Sequence, residues 1–173
     1  MKNWIICLAT GVVCLCPLQA FSHEAHTHGG GEVNISIEGN RVTVELEIPF
    51  DSLIGFEHAI RTPEQKQLAA DMLTILKEGN KMFRFTPTAK CTLNSVDFEN
   101  DGMPKGSEEG EDGGHDDLEA KYVFTCAEPE KLASVEVGLF KGFRRLNKLE
   151  VKLAAPAGQR EFKLNMVNAG AKW

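Results

Sequence analysis

Two alternating segments constrain the fold more than any other part of the sequence. Residues 33–37 and 42–48 carry apolar side chains at every second position, and Gly39 and Asn40 lie between them. A period of two is typical of a half-buried strand, and a Gly-Asn pair favours a two-residue hairpin turn. The turn predicts three opposed apolar pairs: Ile37 with Val42, Ile35 with Val44, and Val33 with Leu46. The hairpin therefore has one apolar face that the rest of the chain must cover.

One amphipathic helix is predicted after this hairpin. Thr62 is the expected N-cap, Pro63 takes the first helical position, and Gln65 completes a capping box. Apolar residues then recur at helical spacing, at Leu68, Ala69, Met72, Leu73 and Leu76. Gly79 and Asn80 supply a stop signal, so the helix has about four turns.

The remainder of the chain returns to strand patterns. Apolar or alternating stretches occur at residues 82–85, 91–98, 119–126, 135–139, 149–153 and 162–166. The predicted class is α+β, mostly antiparallel β-sheet with about seven or eight strands, one main amphipathic helix and a disordered acidic insertion.

The N-terminus has the layout of a secretory signal peptide. Residues 1–22 begin with Lys2, continue as an apolar run and end in a small-x-small sequence at residues 20–22, just before His23. A membrane anchor is the alternative, but the run is interrupted by Pro17 and is shorter than the roughly 20 residues that span a bilayer. We expect an exported chain with no membrane insertion after the leader is removed.

Residues 23–173 are long enough to form a single domain with its own core. The full sequence carries 19 Lys and Arg against 25 Asp and Glu, a formal net charge of −6. An acidic balance argues against nucleic acid or anionic lipid as a partner and suits a cation.

Two cysteines, Cys91 and Cys126, lie outside the leader. In an oxidising compartment an even pair predicts a disulfide, and an antiparallel pairing of the two would set Leu93 opposite Phe124 and Ser95 opposite Tyr122. In a regular strand, Val96 and Phe98 would face the opposite side of the sheet from Leu93, and this change of face indicates a bulge. Zinc binding by the two thiols is the alternative, although they lack paired CxxC spacing.

An acidic, glycine-rich insertion separates the two cysteine-bearing strands. Residues 99–117 contain eight acidic residues against the single Lys105, a composition that cannot bury a core. We expect a flexible segment at the tip of a disulfide-pinned hairpin. His115, Asp116 and Asp117 form a mixed nitrogen and oxygen cluster there, either a weak metal collector or an ordinary solvated loop.

Three of the five histidines follow the leader directly, at His23, His26 and His28. Neutral imidazole is the commonest protein ligand for zinc, and these side chains are close enough in sequence to converge on one ion. A flexible peptide supplies only part of a tetrahedral shell, so a further ligand from the folded body is needed. His58, with Glu57 beside it, is the natural candidate. The alternatives are a solvated tail and, for His58, a loop histidine bonded to backbone.

Catalytic motifs are lacking. Residues 23–26 are one residue short of HExxH, and no GxSxG, P-loop or dinucleotide fingerprint is present. The sequence offers no general base beside an open coordination position, so a metal-dependent hydrolase is the weakest hypothesis. We predict that the protein is not an enzyme.

The chain resembles the ZrgA family of zinc-regulated periplasmic proteins. The resemblance rests on residues 26–29, the hairpin at residues 32–40, and residues 55–59, 122–126, 139–140 and 156–159. It implies a periplasmic protein that binds Zn²⁺, is made under zinc limitation and assists zinc uptake with a zinc ABC importer. The family's metal-binding histidines carry over to His26 and His28, and then to His23 and His58. The insertion departs from the family pattern, because it has only His115 where relatives are histidine-rich, which implies a lower zinc capacity.

Two other functions fit the sequence. Imidazole sites bind Cu(II) more strongly than zinc, so a periplasmic copper or nickel protein is one alternative. A non-metal adaptor is the other, docking a partner through a β-sheet edge or the basic residues 141–148.

Overall fold

The computed structural model describes residues 29–105 and 116–173. The predicted leader at residues 1–22, the histidines His23, His26 and His28, and His115 in the insertion all lie outside the described residues.

The described chain is α+β, with nine strands in two sheets and one main helix, which confirms the predicted class. The strands are β1 Glu32–Glu38, β2 Arg41–Pro49, β3 Phe83–Phe85, β4 Cys91–Phe98, β5 Asp117–Cys126, β6 Ser134–Val137, β7 Lys148–Ala155, β8 Gly158–Asn165 and β9 Gly170–Lys172. The helices are α1 Phe50–Ile54, α2 Pro63–Leu76, α3 Gly79–Met82 and α4 Leu139–Gly142. The strand count exceeds the prediction because β9 is only three residues long, too short to show a period.

Six strands form one sheet in the order β4-β5-β2-β1-β7-β8, and three form a second in the order β3-β6-β9. Neighbours are antiparallel except β1 and β7, which run parallel. The β1–β2 hairpin has the predicted register, with Ile35 opposite Val44. Its apolar side chains join α2 and the small sheet in one core cluster.

Helix α2 begins as predicted. The Thr62 side chain accepts a hydrogen bond from the Gln65 N–H, and the Gln65 side chain accepts one from the Thr62 N–H. The buried face is Ala69, Met72, Leu73 and Leu76. Leu68, which the spacing grouped with them, is 48% exposed because it lies beside this stripe and not on it.

A disulfide joins Cys91 to Cys126, so these thiols are not zinc ligands in this fold. Leu93 lies opposite Phe124 as predicted, and a register shift follows between Leu93 and Ser95. The predicted pairing of Ser95 with Tyr122 is wrong, since Val96 takes that place. The bulge comes earlier than expected and lets an apolar side chain meet the buried tyrosine.

The large sheet has two distinct ends. At one of them, here called the Gly29 end, β1, β5 and β7 begin and β2 finishes, since Glu32 pairs with both Glu47 and Glu150 and Pro49 pairs with Asp117. At the other, the disulfide end, the Cys126 N–H donates to the Asn40 carbonyl at 2.8 Å. Over residues 29–105 and 116–173, we find no helix with both the length and the apolar character needed to cross a membrane.

Candidate metal site

Gly29 anchors the point from which the histidine-bearing sequence departs. Its N–H donates to the buried Ser52 Oγ at 3.0 Å, and its carbonyl accepts from the N–H groups of Asn147 and Lys148 at 2.8 and 3.2 Å. Its φ is +76°, and a Cβ there would lie 2.3 Å from Asn147 Nδ2. Only glycine fits this conformation and this space. Gly29 therefore holds one fixed position, directly after His28 in the sequence.

Arg145 connects this anchor to the loop that carries His58. Its Nε donates to the Asp51 carbonyl at 3.1 Å, and its Nη2 lies 3.4 Å from the Asp51 carboxylate. Gly55 caps the C-terminus of helix α1. A Cβ on Gly55 would lie 3.1 Å from the Arg145 Cζ, while a Cβ on Gly29 would lie 3.0 Å from the Arg145 carbonyl. Arg145 therefore lies beside both glycines, with its carbonyl near Gly29 and its guanidinium near Gly55, and the two segments are neighbours.

His58 is partly exposed in the loop after Gly55. Its Nδ1 lies 2.9 Å from the Ala59 carbonyl, and its ring stacks on Phe56 with centroids 5.1 Å apart. With the Nδ1 proton donated to that carbonyl, Nε2 carries the lone pair that a metal needs. The hydrogen bond from His58 to the Ala59 carbonyl is common for a loop histidine. It also leaves Nε2 available as a metal ligand.

The two stems of the acidic insertion meet at the same end of the sheet. The Asp116 carbonyl accepts from the Phe50 N–H at 3.1 Å, and its carboxylate accepts from the Lys105 N–H. Asp117 then pairs with Pro49 as β5 begins. The chain therefore leaves the folded domain at Lys105 and re-enters it at Asp116, both beside the start of α1.

A row of glutamates crosses the outer face of the sheet at this end. Members on four adjacent strands lie directly opposite one another: Glu150, Glu32, Glu47 and Glu119. A shared hydrogen bond with Glu99, followed by partial burial and the charges of Glu99, Glu47 and Asp117, raises the pKa of Glu119 to about 7. Sequence reasoning missed this row, because only the strand order aligns its members. Its negative potential attracts cations.

The structure brings the candidate segments to one end of the sheet but does not join their described side chains into a site. Among residues 29–105 and 116–173, no three His, Cys, Asp or Glu side chains form a group that could hold a metal ion. His58 and Glu57 come from the α1–α2 connection, and Asp116 and Asp117 from the start of β5. The histidines predicted to complete the shell belong to the part of the chain not described.

The arrangement defines a class of β-rich α+β protein that attaches histidine- and carboxylate-bearing segments at one end of a sheet. The family model for the ZrgA family of zinc uptake proteins matches residues 25–173. The chain therefore belongs to the ZrgA family, and its role is related to zinc uptake. A comparison with curated proteins gave no significant match.

Proposed function

We propose that this protein captures Zn²⁺ in the periplasm under zinc limitation and assists its uptake by a zinc ABC importer. Zinc is the cargo, held by His26 and His28 with His23 and His58. The observation that carries the proposal is the meeting of the chain entry, the His58 loop and the acidic stems at the Gly29 end.

Chain lengths support a shared ion. A residue spans at most about 3.6 Å of extended chain. His28 is the neighbour of Gly29 in sequence, and His58 lies three residues beyond Gly55. Because Arg145 lies beside both glycines, the connections are short enough for an imidazole from each segment to reach one zinc ion.

The ligand chemistry also fits a cargo site. Imidazole nitrogens suit the tetrahedral shell of zinc. Glu57, Asp116 and Asp117, with His115, are auxiliary ligands in this proposal, and the glutamate row raises the local cation concentration. A shell assembled from separate segments can also open, which suits a protein that must give up its metal.

Isothermal titration of metal-free residues 23–173 with zinc tests the assignment. We expect the triple replacement of His23, His26 and His28 by alanine to weaken binding at least about 100-fold, and His58→Ala to weaken it about tenfold. Glu130→Ala removes an exposed carboxylate away from the Gly29 end, so it is the control and should leave zinc binding unchanged. Tight binding that survives the triple replacement would remove the site from these histidines.

The export step has its own test. N-terminal sequencing of the protein from a periplasmic fraction should begin at His23. A chain that retains residues 1–22 and stays with the cytoplasmic fraction would contradict the proposed location.

Copper or nickel remains the competing cargo, because intrinsic affinity favours Cu(II) at imidazole sites. Metal analysis of protein isolated from the periplasm under defined metal supply separates the two. The adaptor alternative, in which basic residues 141–148 dock a partner, has less support. Two of those residues already form ion pairs within the chain, Arg145 with Asp51 and Lys141 with Glu136 at 3.5 Å. An adaptor would bind its partner equally well after chelation.

A further inference from the structure

The turn between β8 and β9 presents two apolar side chains to solvent. Met166 is 59% exposed and Val167 98% exposed, and they are neighbours in sequence. The other large hydrophobic residue exposed in the described ranges, Leu68, lies apart from them on α2. Single exposed apolar residues are common on protein surfaces, whereas an adjacent pair at the tip of a turn is a candidate contact for another molecule. Residues 165–168 are here called the Val167 turn.

Hydrogen bonds hold the Val167 turn in one conformation. The Asn165 N–H donates to the Asn168 carbonyl at 3.0 Å. The Asn165 Oδ1 accepts from the N–H groups of Val167 and Asn168, both at 2.9 Å. The Val137 N–H donates to the Ala169 carbonyl at 2.7 Å, which joins the end of the turn to the small sheet. A tip that is already ordered loses little conformational entropy when it binds.

The Val167 turn lies at the Gly29 end of the large sheet. Asn165 is opposite Lys148 in β7, and the Lys148 N–H donates to the Gly29 carbonyl. Because neighbouring backbones in a sheet lie about 4.8 Å apart, the turn begins about 10 Å from the point where the histidine-bearing sequence joins the fold. A molecule that contacts Val167 therefore lies beside the proposed zinc site.

Cationic side chains border the turn. Lys148 is opposite Asn165, Lys163 is two residues before Asn165, and both lysines are exposed. Neither lysine forms an ion pair within residues 29–105 and 116–173. The surface that complements this turn therefore has an apolar recess for Val167 and acidic groups beside it.

A membrane and a second copy of the chain fit this surface less well than a different protein does. An anionic membrane is uniform in charge, so contact with this end would bring it against Glu47 and Glu119 of the glutamate row. A second copy docked turn to turn would set the same lysines opposite each other, which is repulsive. A different protein can place its acidic groups only where the lysines are.

We propose that the Val167 turn is the docking point for the protein that takes zinc from this chain, an acceptor with an apolar recess and an acidic margin. The inference rests on the proposed function, because only a zinc carrier needs an acceptor. In the transfer, each imidazole–zinc bond that breaks here is replaced by a bond to a donor of the acceptor that already has a free lone pair. Zinc keeps its charge, and no proton or electron moves with it. Such an exchange requires the two sites to be close, and docking at this turn brings them together.

Fluorescence anisotropy of the labelled substrate-binding protein of the zinc ABC importer from the same organism measures docking. The zinc-loaded native protein should bind it. Val167→Glu should weaken the complex at least about tenfold, because a carboxylate replaces the apolar side chain in the recess. Lys163→Glu should weaken it about threefold or more, because like charges then face each other. Val167→Leu keeps an apolar side chain and should bind within about twofold of the native protein.

Matched controls are Leu68→Glu and Lys66→Glu, which make the same changes at exposed positions on α2. Both should leave docking unchanged, and thermal melting by circular dichroism checks that every variant folds. A native protein that does not bind the acceptor overturns the proposal. So does a complex that Val167→Glu leaves intact or that the two controls weaken equally.

Two further measurements identify a different occupant of the turn. Binding to vesicles of phosphatidylethanolamine and phosphatidylglycerol, or self-association of the chain, that is lost in Val167→Glu while no acceptor complex forms would overturn the proposal in favour of a membrane or a second copy. Zinc titration of the same variants separates this proposal from the proposed function. Tight zinc binding together with unchanged docking of Val167→Glu overturns only the docking point, whereas a native protein that binds no zinc overturns both.

Discussion

At the scale of single residues, Arg145 shows how a side chain can acquire a role that its neighbourhood in sequence conceals. Composition groups it with the basic residues 141–148, where it resembles one more solvated charge. In the fold it donates to Asp51 and lies beside both glycines of the candidate site, Gly29 and Gly55. Arg145 therefore holds the segments of Gly29 and Gly55 in place. Its charge is engaged with Asp51 and is not available to bind another protein.

Glu119 gives a pH prediction. A hydrogen bond shared with Glu99, with burial and nearby acids, raises its pKa from 4.5 to about 7 in the folded protein. Between these values the folded state binds more protons than the unfolded state, so this residue's contribution to stability is lost as pH rises from 4.5 to about 7. Glu119→Gln cannot ionise, so the variant should melt higher than the native protein at about pH 8, with a smaller difference at about pH 5.

Thermal melting of metal-free protein in chelator across this pH range measures the effect. Glu130→Gln is the control, because it removes an exposed carboxylate that is not in the glutamate row. Its melting temperature should show no comparable pH-dependent increase over the native protein. A difference between Glu119→Gln and native protein that stays constant from pH 5 to 8 would contradict the shared-proton explanation.

At the scale of elements, the start of α2 depends on one hydroxyl. The Thr62 Oγ1 accepts from the Gln65 N–H at 3.3 Å, and Gln65 Oε1 accepts from the Thr62 and Arg61 N–H groups. Thr62→Ala leaves an N-terminal helix donor without its side-chain partner. We expect unfolding free energy to fall by about 1 kcal/mol.

Urea denaturation measures the cost, and Thr74→Ala on the same helix is the matched control. Thr74 is exposed in the helix interior, where its hydroxyl bonds back to the Ala70 carbonyl. Alanine has the higher helix propensity there, so this change should be neutral or slightly stabilising. Equal losses at both positions would mean that the cap does not stabilise the helix.

At the scale of the whole molecule, the disulfide and the candidate site lie at opposite ends of the large sheet. The bridge closes a sequence separation of 35 residues, for which chain entropy predicts about 3–4 kcal/mol of stabilisation. Replacing Cys91 and Cys126 by serine should lower the unfolding free energy by about that amount. Urea denaturation of native and double-variant protein provides the measurement.

The same double variant should bind zinc with unchanged affinity wherever it remains folded, because the site is remote from the bridge. Titration below the melting transition checks this. Loss of zinc binding by a folded double variant would mean that the two ends of the sheet are coupled or that the sulfur atoms take part.

The local features of this fold were predictable because each rests on neighbours in sequence. The Gly39-Asn40 turn determines the register of β1 with β2, and residues 62–65 contain the whole capping box of α2. The pair Cys91 and Cys126 was predictable for a different reason, since only these two of the five cysteines lie outside the predicted leader. The register beyond Leu93 was not, because the position of the bulge depends on which side chain packs against Tyr122.

The sequence by itself determined the class, the hairpin, the helix and the disulfide, and it supplied the histidines and carboxylates that are proposed as metal ligands. Only the tertiary structure decided that the chain entry at Gly29, the His58 loop and the stems of the acidic insertion meet at one end of one sheet. The physical reason is that this meeting depends on pairings between distant strands, β1 with β7 and β2 with β5. The alternating pattern of a strand states which face is buried but not which strand lies beside it.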